Sequence, residues 1–158
     1  MQATAILEKT RPAFARDFAL VGALSSLLAP ALVVRGAFGL GYLAASTAAG
    51  LLFGALVGAL TATVLGRLGR VPLSLLFLAG PTLGLAWGAA VGASSGLVLP
   101  EDWWTVSMAF ASVCAAVQFG WFWLPYTVRR VRGKSAWPLV VLACALPVLV
   151  YGGLWITG

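Results

Sequence analysis

Residues 80–96 read GPTLGLAWGAAVGASSG, with glycine at 80, 84, 88, 92 and 96. Glycine inside a soluble helix is about 1 kcal/mol worse than alanine, so a row of them at four-residue spacing needs a physical reason. In hydrocarbon, apolar burial no longer drives helices together. Close packing does, and small residues let two backbones approach. Residues four apart share a helix face, so this row reads as a groove for a neighbouring helix. A second row precedes it: Ser46, Gly50, Gly54 and Gly58, within STAAGLLFGALVGALTATVLG at 46–66.

Folding the two segments about RLGR (67–70) places Gly58 beside Gly80, Gly54 beside Gly84, Gly50 beside Gly88 and Ser46 beside Gly92. Tyr42 then lies over Gly96. The expected architecture is an all-α integral membrane protein whose second and third spans form an antiparallel glycine-zipper hairpin. A four-residue repeat gains about 40° per step over the 3.6-residue helix period. The ribbon therefore winds away from a straight partner, and its 88–96 end is expected to meet a further neighbour. That neighbour is the small row Ser112, Ala116 and Gly120, or another copy of the chain.

Composition supports a membrane location. Of 158 residues, 61% are hydrophobic and 9% charged, against about 25% charged in an average soluble domain. A membrane-crossing helix takes about 20 apolar residues. Five such spans are expected, near 18–34, 37–66, 71–99, 103–128 and 137–156. Residues 1–17 form a cytoplasmic or interfacial segment, with Ile6, Leu7 and Phe14 on lipid, and 18–158 a single five-helix domain. The third span is longer than the bilayer core and is expected to tilt, or to break near Gly80-Pro81, where proline removes a backbone donor. A basic start, FALVGALSSLL and APA within residues 1–31 imitate a signal peptide. The apolar LVVRGAFGLG that follows favours a retained first span.

Lysine and arginine set the expected orientation. Lys9, Arg11, Arg16, Arg67, Arg70, Arg129, Arg130, Arg132 and Lys134 fall on one side, and Arg35 alone on the other. The N-terminus is accordingly expected in the cytoplasm and the C-terminus outside. Abundant arginine, alanine and glycine, with scarce lysine and isoleucine, suggest a GC-rich bacterial coding sequence and hence the bacterial inner membrane. The basic RRVRGK loop, with Arg129, Arg130, Arg132 and Lys134, should attract anionic headgroups at about 1 kcal/mol per basic residue. Trp103 and Trp104, Trp121, Trp123, Tyr126 and Trp137, then Tyr151 and Trp155, read as interfacial belts.

Catalytic chemistry finds few candidates. The chain has no histidine and two cysteines, Cys114 and Cys144, each alone in an apolar segment. No metal-ligand cluster or cofactor motif is expected, and the serines lack a base. Every span interior reads as uncharged, which disfavours ion-coupled transport. Two interior residues are candidate ligand contacts: Gln118, otherwise expected to bond across helices, and Trp87, otherwise expected to fill space or face lipid. The expected function is a non-enzymatic, tightly packed subunit or scaffold of a larger or homo-oligomeric membrane complex. A facilitator for a small neutral or apolar solute is the alternative, and a lipid-handling accessory a weaker one. Expected partners are anionic lipid, other membrane subunits or copies of the chain, and no nucleic acid.

Overall fold

A computed structural model describes residues 2–26, 40–68 and 73–157. Among them are five helices and no strand: α1 (Gln2–Ser25), α2 (Leu40–Leu68), α3 (Leu73–Gly96), α4 (Glu101–Val131) and α5 (Trp137–Thr157). Segments of α2, α3 and α4 (Leu40–Leu65, Phe77–Gly96 and Trp103–Val131) are long and apolar enough to cross a membrane. Pro12, Pro81, Pro125 and Pro147 all lie within helices. The third span is thus continuous through Gly80-Pro81, and the ring of Pro81 lies opposite Gly120.

The glycine rows pack backbone on backbone, but not on each other. A Cβ built on Gly50 would sit 2.5 Å from the carbonyl oxygen of Gly22, and those on Gly54 and Gly58 would strike the carbonyls of Phe18 and Phe14. Ser46 continues the row, its hydroxyl donating to the Ser26 carbonyl at 3.0 Å. As α2 positions rise by four, their α1 partners fall by four, so the pair is antiparallel. A second seam joins α3 to α4. A Cβ built on Gly80 would sit 2.9 Å from the Phe119 carbonyl oxygen, one on Gly84 2.5 Å from that of Ala115, and one on Gly92 2.7 Å from that of Ser107, while Gly88 faces the Ala111 carbonyl in the same way.

The expected α2–α3 zipper is therefore corrected to two seams, α1–α2 and α3–α4. The ring over Gly96 is Trp104, 2.6 Å from a built Cβ, and not Tyr42. Tyr42 instead shares a hydrogen bond with Ser107 of α4 at 2.8 Å. The physical reason lies in the partner surfaces. A bare row needs an opposing backbone uncovered by branched side chains, and the Ser107, Ala111, Ala115 row of α4 offers one. The sides that α2 and α3 turn to each other carry Val57, Leu60, Val64, Leu65, Leu75, Leu78 and Leu83, which line a groove between them. The small row on the fourth span is met: a Cβ built on Gly88 or Gly84 would sit 2.6 or 2.8 Å from the Cα atom of Ser112 or Ala116.

One expectation for the N-terminal segment is corrected. Helix α1 starts at Gln2, and Phe14 is fully buried instead of facing lipid. Phe14, Phe18 and Val21 share one face at helical spacing and meet α4 in the core. Ring centroids lie 5.2 Å apart for Phe14–Tyr126, 5.8 Å for Phe18–Phe119 and 5.5 Å for Phe18–Phe122. Trp123 and Tyr126, read as belt residues, belong to this core. Trp103, Trp104 and Trp137 remain exposed. Expectations for 27–39 and 69–72, and for the side chains of Ile6, Leu7, Tyr151 and Trp155, fall outside what is described.

The turn from α4 to α5 is set locally. Gly133 takes φ +69°, the left-handed conformation that favours glycine. The amide of Lys134 bonds the Arg129 carbonyl at 2.8 Å and that of Gly133 the Arg130 carbonyl at 3.0 Å, closing a Schellman motif.

Gly54→Ala and Gly88→Ala each drive a methyl into a carbonyl of the facing helix. Each is expected to lower stability by about 1–3 kcal/mol, read from unfolding midpoints in detergent. Gly152→Ala, where a Cβ meets nothing within 4 Å, should leave the midpoint unchanged or raise it.

Candidate functional site

The strongest polar constellation is one that the sequence pattern passed over. Asp17 of α1 is fully buried. Its Oδ1 accepts from Arg16 Nε at 3.0 Å and Nη2 at 2.9 Å. Its Oδ2 accepts from the Tyr126 hydroxyl at 2.8 Å and from Arg130 Nη2. Arg130 Nε donates in turn to the Tyr126 oxygen at 3.2 Å, closing a three-membered network between α1 and α4. The Arg130 guanidinium also lies 5.5 Å over the Tyr126 ring, and that of Arg16 5.7 Å over Trp137 of α5. The two arginines differ in setting, with 62% of the Arg16 side chain exposed against 17% for Arg130.

Depth follows from the seam. Phe14 and Phe18 flank Asp17 and pack on Gly58 and Gly54, about 15–21 Å along α2 from its Leu68 end at 1.5 Å per residue. A carboxylate there, if unpaired in a low-dielectric interior, would be costly. With opposite charge and hydrogen bonds on both oxygens it is held. The network carries one negative and two positive charges. Both carboxylate oxygens and the phenol are engaged, so it is built to clamp α1, α4 and α5 together. The sequence pattern alone gives uncharged span interiors and puts Asp17 just before the first span. The available signal was the shared face of Phe14, Asp17, Phe18 and Val21, matched on α4 by Phe119, Phe122, Trp123, Tyr126 and Arg130.

Other expected site residues are separated. Gln118 is buried, its Nε2 donating to the Ala143 carbonyl of α5 at 2.7 Å and its Oε1 accepting from Trp121 Nε1 at 3.1 Å. Trp87 is buried beside Gly22, its ring centroid 5.3 Å from that of Phe119, filling the space where α3 meets α1 and α4 and not facing lipid. Of the basic loop, Arg129, Arg132 and Lys134 are exposed, whereas Arg130 turns inward to Asp17. Arg129 Nε also caps the Ser135 carbonyl at 3.1 Å. Ser26, Ser94 and Ser95 bond back to their own helices, while the buried Ser25 hydroxyl has no partner.

Between α2 and α3 an apolar groove of about 520 Å³ opens. Its walls are Val57, Leu60, Thr61, Val64 and Leu65 on α2, and Leu75, Leu78, Ala79, Thr82 and Leu83 on α3. Trp123 of α4 completes the lining. Neither Gln118 nor Trp87 lines it. No protein family, curated protein or solved structure matches this chain.

Asp17→Asn removes the charge that Arg130 faces and is expected to cost about 3–5 kcal/mol, the penalty for orphaning a buried partner. Tyr126→Phe should cost about 1–3 kcal/mol. Arg16→Gln, on the exposed partner, should cost about 1 kcal/mol or less. Unfolding midpoints in detergent check the order. Equal losses for Asp17→Asn and Arg16→Gln would remove the clamp.

Proposed function

We propose that this chain is a non-enzymatic, multi-pass subunit or scaffold of a larger or homo-oligomeric complex in the bacterial inner membrane. The observation that carries the proposal is that the buried charged and amide side chains among the described residues are bonded to one another or to the backbone of a neighbouring helix. Asp17, Tyr126 and Arg130 close on themselves, and the Gln118 amide is bonded at both ends. The surface turned outward is hydrocarbon, including Leu52, Leu56, Val113 and Val117, and Val141, Leu142 and Leu149 of α5. Such a molecule has little left for chemistry and a broad apolar face for lipid or neighbouring helices.

The basic residues favour a cytoplasmic N-terminus and an outside C-terminus. Arg16, Arg67, Arg129, Arg132 and Lys134 belong to the ends where α2 and α4 finish and α5 begins. The α2–α3 groove supports a second reading, a lipid-handling accessory, because nearly all of its lining is hydrocarbon.

Native mass spectrometry of the full chain released from its own membrane should show a stable assembly with copies of itself or other membrane subunits. Recovery as a bare monomer that speeds passage of a neutral solute into proteoliposomes would overturn the subunit reading in favour of a facilitator. A phosphatase fused after Gly158 should be active on the outer side, and an inactive fusion would reverse the orientation.

A further inference from the structure

Arg16 carries a charge that the buried network does not consume. Asp17 bonds both Arg16 and Arg130, so one carboxylate serves two cations and a positive charge is left over. It is left at the outside, since 62% of the Arg16 side chain is exposed. A guanidinium has five N–H donors in a planar fork. The Arg16 Nε and Nη2 donate to Asp17, and the group stands 5.7 Å over the Trp137 ring. One edge is thus held by a carboxylate and one face by an indole, while Nη1 takes no part in the contact with Asp17. A charge open to lipid is costly unless an anion or water meets it.

Arg16 emerges at the edge of a membrane span. The α4 segment Trp103–Val131 has 29 residues, about 43 Å at 1.5 Å per residue, against a hydrocarbon core of about 30 Å. The turn that follows it therefore lies at headgroup level. There Arg129 Nε donates to the Ser135 carbonyl at 3.1 Å, two residues before Trp137, and Arg129, Arg132 and Lys134 are exposed. Toward the membrane centre the same helix sides turn apolar. Leu20 lies one turn beyond Arg16 and Val141 one turn beyond Trp137, and they are 40% and 50% exposed. Cations at the boundary with exposed hydrocarbon beneath them repeat the division of a phospholipid. An acidic protein segment would match the cations but not Leu20 and Val141.

We infer that this corner, where α1, α4 and α5 meet, binds an anionic membrane phospholipid. The headgroup phosphate is taken by Arg16 and Arg129, each already oriented through its Nε by a protein oxygen, and an acyl chain lies along Leu20 and Val141. Arginine suits the task because two parallel N–H groups can meet two phosphate oxygens. This inference rests on the membrane location but not on the subunit reading, since a monomer and an assembly would each bear the site.

The test uses the full chain in nanodiscs of phosphatidylcholine and phosphatidylglycerol, with a photoreactive residue at Val141 and, for reference, at Leu52, an exposed position on α2. Adducts at Val141 should be at least about fivefold richer in phosphatidylglycerol than those at Leu52, the effect of one basic residue on an anionic lipid. Arg16→Gln should remove about that factor. Arg67→Gln deletes an equal charge from the exposed last turn of α2 and should leave the enrichment in place. Should Arg16→Gln not fold, Arg129→Gln still decides, because it changes another exposed position and should lower the enrichment likewise. Equal phosphatidylglycerol fractions at Val141 and Leu52, or equal losses from Arg16→Gln and Arg67→Gln, would overturn the inference. So would cross-linking of Val141 to a second copy, or loss of the enrichment in added inorganic phosphate, which would assign the corner to a free anion. An assembly without enrichment sinks the lipid site alone, and enrichment on a monomer sinks the subunit reading alone.

Discussion

Contact between bare Cα atoms and facing carbonyl oxygens sets the spacing on which the remaining structure depends. Along α1 and α2, the carbonyls of Phe14, Phe18 and Gly22 rest on Gly58, Gly54 and Gly50. Along α3 and α4, those of Phe119, Ala115, Ala111 and Ser107 rest on Gly80, Gly84, Gly88 and Gly92. At this separation weak Cα–H···O contacts add to dispersion, and no side chain intervenes to push the axes apart. The large residues can then leave the seams and gather in the centre. Phe14, Phe18, Trp87, Phe119, Phe122 and Tyr126 form one aromatic core, which wider helix pairs would leave unfilled.

The Asp17 network does what glycine cannot. Glycine seams join α1 to α2 and α3 to α4, while the bond from α1 across to α4 is ionic and directional. Tyr126 and Arg130 reach Asp17 together because they are four apart on α4 and so share a face. Arg16 and Trp137 extend the contact to α5, and Gln118 adds a second tie to α5 through the Ala143 carbonyl. A buried ion pair adds little net stability against a well-packed apolar alternative, but it penalises wrong pairings heavily because either partner alone is stranded. At the opposite end, Tyr42 and Ser107 make the corresponding polar tie from α2 to α4.

The groove is the complement of the seams. Once the bare faces of α2 and α3 have turned to α1 and α4, the sides that these two helices show each other are leucine and valine. Branched side chains cannot interdigitate at carbonyl-contact distance, so the space between them stays open to the outside. The same feature that closes the two pairs therefore leaves an apolar slot between them.

Much of this was legible in the residues themselves. Apolar length places spans near 37–66, 71–99, 103–128 and 137–156, close to the observed helices at 40–68, 73–96, 101–131 and 137–157, because helix formation there answers to local composition and to breakers such as Pro100 and Gly133. Four-residue glycine spacing announced that backbones would touch, and Gln118 announced a cross-helix bond, since each is a property of one helix alone. The choice of partner was not legible. Glycine rows at 46–58 and 80–96 fit one another in register, yet a bare row accepts any uncovered backbone. The winner was decided by what the competing faces carry: small residues on α4 and a carbonyl row on α1, against leucines between α2 and α3. For the same reason Asp17 looked like the edge of a span. Only when α1 is laid along α2 does its carboxylate come within reach of Tyr126 and Arg130, more than a hundred positions away in the chain, and nothing in the local sequence encodes that distance.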